Sequence, residues 1–343
     1  MLKSTVAAVA AEAGVSTATV SRVLTGSKTV AAETSRRVLA AAEKLNYSGN
    51  SIAKALRQNS TGNVGMLVPS ITNPFFTALV ERVEHHLAHA GLNLFLCDSR
   101  GLVETEAARL RSLTQGSVDG ILVSPVDETR SADALHRASG ITPIVQIDRR
   151  VSTVDADWVG LDDDHAMHLI AEHLSSCGVQ TVAFVTSTMG SSSALDRLRS
   201  TRHACDDRGI AMPDDLVFDG DFSLRWGAQA ADALLSRAGM LPDAIICSDD
   251  LIALGLSSRL AERGVRVPHD VLVTGFDDID YASLTIPSLT TLQQPLDQIA
   301  AEAVRLLREN IRNSERAKMH LALRGVLVVR DSTSRKASGH RPG

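Results

Sequence analysis

The sequence contains few aromatic residues, few cysteines and no long apolar run. Aromatic residues make up only 3% of its 343 residues, and its cysteines lie far apart with no Cys-x-x-Cys pair. The four are Cys97, Cys177, Cys205 and Cys247. This spacing indicates neither a zinc site nor a disulfide framework, so we expect small apolar core residues in a reducing compartment. No window approaches the ~18 uninterrupted apolar residues of a membrane-spanning helix, so no membrane partner is predicted.

Sequence motifs of common enzymes are also missing. There is no Walker loop, no Gly-x-Gly-x-x-Gly after a strand, no Gly-x-Ser-x-Gly and no His-Glu-x-x-His. We therefore predict no catalytic residue, no cofactor and no metal. The acidic run "DDDH" at 162–165 is interpreted as a helix start, because carboxylates accept hydrogen bonds from the free N–H groups there. Glu12 interrupts the short apolar opening, which argues against a signal peptide and favours a cytoplasmic protein.

Negative charge is scarce at the N-terminal end. Residues 1–60 contain eight Lys and Arg against three Glu, a net charge of +5, whereas the whole chain carries −5. The remainder therefore carries −10. A small basic head on a large acidic body indicates that only the head binds a polyanion such as DNA. On charge alone, a random imbalance of surface residues is the alternative.

The basic head has the pattern of a helix-turn-helix. Small apolar residues recur on one helical face over 6–13, and Gly14 suits a left-handed turn. Ser16 is a good N-cap for a second helix over 17–24, and a third helix over 32–45 would close the core.

The second helix carries small side chains on its outward face, so that it can enter the major groove of DNA. Arg22 is the one charged group there, and a guanidinium bound to guanine through two hydrogen bonds contributes roughly 1–3 kcal/mol of discrimination. A phosphate contact or an exposed salt bridge is the alternative role for Arg22.

Residues 5–57 resemble the DNA-binding head of the LacI/GalR family of bacterial transcription regulators. The combination of "AGVSTATVSRVL" (13–24) with "NYSGNSIAKALR" (46–57) is more specific than a lone helix-turn-helix. The resemblance continues through "NPFF" (73–76), "DRL" (196–198), "DDLIALG" (249–255), "GFDDI" (275–279) and "LVVRDST" (327–333). It implies a sequence-specific DNA-binding transcriptional repressor whose operator affinity is modulated by a small-molecule effector.

The segment 50–57 is too short to hold a helix alone in water, where about 12–15 residues are needed. The resemblance implies that it folds when two copies pair over a palindromic operator, with Leu56 entering the minor groove beside Ala53. Simple packing is the alternative for Leu56. Gly49 stands where the family usually has proline, which loosens the entry to this hinge. The predicted DNA-binding residues are Thr5, Ser16, Thr17, Ala18, Thr19, Ser21, Arg22, Tyr47, Asn50, Ala53 and Leu56.

After residue 60, short β-rich runs alternate with amphipathic helical stretches. Four runs (63–69, 92–98, 119–125 and 143–148) form a first series, and four more (181–187, 215–221, 243–249 and 270–276) form a second. Such near-continuous apolar strands between helices predict parallel sheets covered on both faces. The polar segment 149–164 is interpreted as a crossing, and a long helix over 296–313 precedes a last strand over 321–330.

The predicted fold is a small all-α helix-turn-helix domain followed by a two-lobed α/β domain of the periplasmic-binding-protein-like type. The expected bounds are 1–48 for the DNA-binding domain, 49–61 for the hinge, 62–161 with 291–323 for the first lobe, 162–290 with 324–334 for the second lobe, and 335–343 for a disordered tail.

Carboxylates and aromatic rings stand after several predicted strands, and these groups suit a sugar, whose hydroxyls pair with carboxylates while its C–H face stacks on a ring. The resemblance implies effector contacts from Asn73, Phe75, Asp148, Arg197, Phe222, Asp249 and Asp277. Because Asp249 is commonly asparagine in the family, its charge should change which ligand fits. A nucleobase or other metabolite is the alternative effector, and a stand-alone sugar-binding protein is the alternative function. A homodimer is expected, nucleoid-associated when it is bound to DNA.

Overall fold

The computed structural model describes residues 5–24, 30–45, 60–237 and 241–334. The chain divides into two compact units whose boundary lies between Asn63 and Val64, and the short segment Gly116–Val118 is grouped with the first. Across the described ranges, no helix has both the length and the apolar character needed to cross a membrane.

The first unit contains three helices, α1 (Val6–Ala13), α2 (Thr17–Leu24) and α3 (Ala32–Lys44). Gly14 ends α1 in the left-handed conformation (φ 61°), as a tight turn requires. The guanidinium of Arg37 on α3 donates to the carbonyl of Ala13, which ties α3 to this turn. The buried residues are small: Val9, Ala10, Ala13, Val20, Val38, Ala41 and Ala42. The predicted helix-turn-helix with a closing third helix is confirmed.

The second unit is built on two six-stranded sheets, one in each of two lobes. In the first lobe the strand order is β11-β5-β4-β3-β1-β2, and the pairings β1/β3, β3/β4, β4/β5 and β5/β11 are all parallel. Its strands are β1 (Asn63–Val68), β2 (Asn93–Asp98), β3 (Gly120–Val123), β4 (Ile144–Ile147), β5 (Asp157–Leu161) and β11 (His320–Leu323).

The second lobe has the strand order β12-β10-β9-β8-β6-β7. Its pairings are parallel except that β12 runs antiparallel to β10. Its strands are β6 (Val182–Ser187), β7 (Val217–Gly220), β8 (Ala244–Cys247), β9 (Leu272–Asp277), β10 (Thr290–Gln293) and β12 (Val326–Val328).

Helices cover these sheets, as the alternation in the sequence predicts. In the first lobe they are α4 (Pro74–His89), α5 (Val103–Leu113), α6 (Ala132–Ser139) and α11 (Leu296–Arg312), and in the second α7 (Asp163–Ser176), α8 (Ser192–Asp207), α9 (Leu224–Leu235) and α10 (Asp250–Glu262). The shorter turns Asp214–Leu216, Asp280–Ser283 and Asp331–Thr333 are 3-10 helices. The predicted two-lobed α/β fold is confirmed, and all four cysteines are free thiols.

Three expectations need correction. The segment 149–164 contains a full strand, β5, whose Asp157 is completely buried because Arg316 and Asn310 satisfy its carboxylate. The single strand expected over 321–330 is two strands in different sheets. Gly325 allows this crossing, since a side chain there would meet the carbonyl of Gln293 at 2.7 Å.

The boundary between the lobes at residues 290 and 291 is also displaced. β10 pairs with β9 and β12 in the second sheet, so the chain leaves the second lobe after Gln293. The sequence pattern does not reveal β10, because the strand is only four residues long and lies in a Pro-containing stretch.

Candidate functional site

In the first unit, six of the predicted DNA-binding residues lie at the start of α2 or on it. Ser16, Thr17, Ala18 and Arg22 are exposed, Thr19 and Ser21 are half-buried, and Thr5 is exposed at the start of α1. Tyr47, Asn50, Ala53 and Leu56 lie outside the described residues, and so does the predicted hinge helix.

Two of these residues also cap helices. The Ser16 hydroxyl accepts a hydrogen bond from the Thr19 N–H at 3.1 Å and contacts the Thr19 hydroxyl at 2.9 Å. The Thr5 hydroxyl accepts from the Ala8 N–H at 3.2 Å. Capping satisfies N–H groups that a helix start leaves free, and it holds each hydroxyl at an exposed helix N-terminus.

In the second unit, one narrow cavity lies between the lobes at the carboxyl ends of the strands. All seven predicted effector-binding residues line it, namely Asn73, Phe75, Asp148, Arg197, Phe222, Asp249 and Asp277. The structure adds Phe76, Arg149 and Ser193 to this set. Ligands of open α/β folds bind at this edge of the sheets. Motifs that lie far apart in the sequence thus meet at one cavity. No single motif predicts this convergence.

Helix starts and strand ends aim these side chains into the cleft. Asn73 caps α4 by accepting from the Phe75 N–H at 3.0 Å, and Asp249 caps α10 by accepting from the Ile252 N–H at 2.7 Å. At the ends of β4 and β9, Asp148 and Asp277 have positive φ values of 63° and 107°. Non-glycine residues held in this region cost energy and cluster at functional sites.

Arg197 is the central cation of the cleft, and its side chain is almost fully buried. Its Nε donates to Asp163 Oδ1 at 3.1 Å and its Nη1 donates to the Ser248 carbonyl at 2.7 Å. Asp277 Oδ1 lies 4.0 Å from Nη2. Burial acts to lower the pKa of Arg197, but the attraction of Asp163, Asp277 and Asp148 outweighs it, so the pKa is raised. The guanidinium is therefore a fixed positive charge.

Arg149 is a second buried cation, and it lies between two aromatic rings. Its Cζ is 5.6 Å from the centre of the Phe76 ring and 4.9 Å from that of Phe222. Asp148 Oδ2 is 3.8 Å from its Nε, which has no hydrogen-bond partner within the described part of the chain. Burial lowers the pKa of Arg149. In the sequence, Arg149 is indicated as a cleft residue by its place directly after Asp148 at a strand end. Phe76 is indicated by its place in "NPFF".

Buried carboxylates surround these two cations. Burial raises the pKa of Asp148, and it raises the pKa of Asp277 well above its usual range. Burial also raises the pKa values of Asp163 and Asp249 to about 6. In each case the arginines act in the opposite direction. The cleft therefore holds an electrostatic network in which each sign is stabilised by the other.

Larger cavities open on both sides of this centre. One of about 520 Å³ shares Asn73, Phe76, Arg149 and Phe222 with the narrow cavity, and one of about 600 Å³ shares Phe75 and Asp277. Around them, Arg150 bridges the lobes through an ion pair with Asp196 at 2.8 Å. Together these cavities offer carboxylates, guanidinium groups and ring faces, which bind a polar ligand of moderate size.

Two family models match the chain. The model described as bacterial regulatory proteins, lacI family, matches residues 5–50, and the model described as periplasmic binding protein-like domain matches residues 171–333. These ranges cover α1 to α3 and most of the second lobe.

Whole proteins match over nearly the full length. HTH-type transcriptional repressor PurR of Vibrio cholerae serotype O1 (strain M66-2) is 32% identical over 329 residues, which are 96% of this chain and 98% of that protein. The lac repressor dimer bound to operator and the anti-inducer ONPF is 26% identical with a TM-score of 0.86, and the complex of the transcriptional regulator CelR with cellobiose is 28% identical with a TM-score of 0.73. Each alignment covers 96% of this chain and 99% of the solved one.

Proposed function

The chain belongs to the LacI/GalR family of bacterial transcription regulators, which are DNA-binding proteins and not enzymes, and we propose that it is a repressor controlled by a small molecule bound in the cleft. The first unit reads operator DNA through α2. The effector contacts both lobes and favours one relative orientation of them, because a ligand shifts an equilibrium only by its differential affinity for the two states.

The observation that carries this proposal is the concentration of buried polar atoms at the cleft. Arg149 Nε and Ser187 Oγ are buried and have no hydrogen-bond partner in the described ranges, and both residues line the cavity of about 520 Å³. Such atoms are costly unless a ligand or water pairs with them. Their presence beside Phe222 supports a ligand that has hydroxyl or amide groups and a flat or apolar face.

A sugar is the effector class that we propose first. Asp98 and Asp221 line the cavity of about 520 Å³, and Asp148, Asp249 and Asp277 line the narrow one. Carboxylates that accept two hydroxyl protons, next to a ring on which C–H groups stack, suit a polyol. The relative in complex with cellobiose shows that this fold accommodates a sugar in another member.

A nucleobase is the second candidate, favoured by a specific observation. The flat guanidinium of Arg149 packs against the rings of Phe76 and Phe222. These groups offer flat faces on which a planar base can stack. The relatives named PurR point in the same direction. A stand-alone sugar-binding protein does not account for the first unit, which matches the lacI family model.

The remaining parts of the proposal concern assembly and place. We propose a homodimer on a palindromic operator, with 49–61 as the hinge and Leu56 as the minor-groove wedge. We also propose the domain bounds predicted from the sequence, with one change: the second lobe extends to Gln293. A regulator of this kind acts in the cytoplasm, in contact with the nucleoid.

The test begins with the full-length protein and two ligand panels. Thermal unfolding is measured with mono- and disaccharides and, separately, with purine and pyrimidine bases. Any ligand that raises Tm is titrated into the protein bound to a fluorescent operator that has been selected from random duplexes. A stabilising ligand that also changes operator affinity supports the proposal, and the panel it comes from identifies the class.

Asp249→Asn is the discriminating variant. An asparagine oxygen can still cap α10, because Asn is as good an N-cap as Asp, so the fold is retained while the charge is lost. A sugar held by this carboxylate should bind at least about tenfold more weakly, the effect of a lost charged hydrogen bond. Asp270→Asn, an exposed change, is the control. If no ligand of either panel stabilises the protein or alters operator binding, the proposal is wrong.

A further inference from the structure

Two helices of the second lobe bring a pair of histidines and a pair of carboxylates together, away from the effector-binding residues. Asp164 and His168 lie one turn apart on α7, and His203 and Asp207 lie one turn apart on α8. One ligand atom each from Asp164, His168 and His203 lies within 4.8 Å of the others. The four side chains thus form a single cluster across the two helices.

The orientation of His168 is set by its backbone contact. Its Nδ1 lies 2.7 Å from the Asp164 carbonyl oxygen, which can only accept, so Nδ1 carries a proton. Its Nε2 points at Asp207 Oδ2 at 3.1 Å. A histidine whose first nitrogen donates to a backbone carbonyl, and whose second faces further ligand atoms, has the arrangement of a metal-bound imidazole.

His203 completes the cluster from α8. Its Nδ1 is 3.3 Å from Asp164 Oδ1, and its Nε2 is 3.9 Å from Asp207 Oδ2. Ligand atoms about 2.0–2.2 Å from a tetrahedral zinc ion stand a little over 3 Å from one another. The two separations at His203 are close to this value, and His203 and Asp207 are 62% and 53% exposed, so small rotations can bring their ligand atoms together.

We propose that Asp164, His168 and His203 bind a divalent transition-metal ion such as Zn²⁺, with Asp207 as a fourth ligand or as a partner of His168. Imidazole nitrogens favour zinc and its neighbours over Mg²⁺ and Ca²⁺, which prefer oxygen ligands alone. Two neutral histidines and two carboxylates together balance the charge of the ion. The sequence prediction of no metal rested on the cysteine spacing, on the missing His-Glu-x-x-His and on "DDDH", where Asp162 caps α7. The ligands proposed here come from two separate helices, which no local motif contains.

The position of this cluster links it to the cleft. Asp164 follows Asp163, which holds Arg197, and Arg197 lies on α8 with His203. An ion bound to α7 and α8 would link the two helices that carry Asp163 and Arg197. The metal proposal does not depend on the identity of the effector.

The test is a titration of the full-length protein, free of chelator and of any histidine tag, with Zn²⁺ by calorimetry and with Co²⁺ by visible absorption. We expect one ion per chain and the intense absorption of tetrahedral Co²⁺. His203→Ala should weaken binding at least tenfold, and Asp164→Asn should also weaken it. His86→Ala is the matched control, because His86 is a partly exposed histidine paired with a carboxylate, Asp297, at 3.0 Å.

Thermal melting in chelator checks that each variant folds, and Asp207→Asn serves as a further variant if His203→Ala does not. Loss of binding in the cluster variants, with retention in His86→Ala, supports the site. If the wild type does not bind Zn²⁺, or if all variants bind it equally, the four side chains form hydrogen-bonded pairs only and the proposal is overturned.

Discussion

The two units of the chain carry opposite kinds of side chain at their predicted binding surfaces. On α2 of the first unit, the predicted contacts are small, mostly uncharged and exposed, such as Thr17 and Ala18. In the cleft of the second unit they are charged and buried, such as Arg197 and Asp277. Exposed recognition groups contribute little to the stability of the fold, whereas buried charges contribute to folding and to binding together.

The difference follows from solvation. A charge that leaves water loses several kcal/mol of hydration and depends on its partners for compensation. An exposed hydroxyl or guanidinium keeps its hydration until the ligand arrives. Substitutions on α2 should therefore change DNA binding alone, while substitutions in the cleft should change both stability and ligand response. The variants below test this contrast, beginning with the largest expected effect.

Arg197→Ala should destabilise the second unit by about 3–5 kcal/mol, the cost of removing one partner from a buried charge network. Asp163 and Asp277 would remain buried without the guanidinium that compensates them. The variant should still bind the operator but lose its effector response. Chemical denaturation measures the free energy of unfolding, and operator titration with effector measures the response.

Arg199→Ala is the matched control for that experiment. Arg199 lies on the same helix, is 76% exposed and pairs with Asp196 at 2.6 Å. Exposed pairs contribute only about 0–1 kcal/mol, so its loss should be small. An unchanged effector response in Arg197→Ala would remove Arg197 from the binding site, and equal destabilisation by both variants would contradict the contrast between buried and exposed charges.

Arg22→Ala should weaken operator binding by about 1–3 kcal/mol while the first unit remains equally stable. Arg22 is exposed on α2 and lies outside the apolar core of the first unit. The measurement compares the selected operator with variants at each base pair and with random duplex. A base reader loses discrimination at one position, whereas a phosphate contact loses affinity uniformly. Arg36→Ala, an exposed change on α3, is the control.

Asp250→Asn should remove part of the pH dependence of the second unit. Asp250 is completely buried, and its carboxylate accepts from the Thr291 hydroxyl at 2.6 Å and from the Ile279 N–H at 2.8 Å. Burial raises its pKa to about 7, against these two hydrogen bonds and with the help of the charges on Asp249 and Asp278.

The sign follows from this raised pKa. The stability that the protonated Asp250 contributes is complete below the pKa of the unfolded chain, near 4, and is lost as the pH rises through the folded pKa of about 7. Between pH 5 and pH 8 the wild type should therefore lose about 2–3 kcal/mol that Asp250→Asn retains. The measurement is the free energy of unfolding at both pH values. Asp270→Asn should leave this difference unchanged, because the bond to Arg266 holds the pKa of Asp270 at about 2; a change there would contradict the assignment.

The sequence predicted the fold well where the pattern is local and repeated. Apolar runs such as 181–187 became buried strands, and the run 162–165 became a helix start capped by Asp162. It failed where long-range partners decide. β5 forms because Arg316, far along the chain, satisfies Asp157, and no local pattern contains that information. Arg149 follows a predicted strand end at the cleft, but its contacts with the rings of Phe76 and Phe222 could not be predicted for the same reason, since those rings come from distant segments.

Ser16 provides the smallest and most specific test of the contrast, because one exposed side chain has a structural role as a helix cap and a predicted role in DNA recognition. Ser16→Ala removes the cap of α2 and should cost about 1 kcal/mol of stability in the first unit. Ser16→Asp keeps a capping oxygen for the Thr19 N–H but adds a negative charge at the predicted DNA surface. It should therefore fold as stably as the wild type while binding every duplex more weakly, because DNA affinity depends on phosphate contacts. Thermal melting and operator titration separate the two effects. Normal DNA binding by Ser16→Asp would show that this helix start faces away from the duplex.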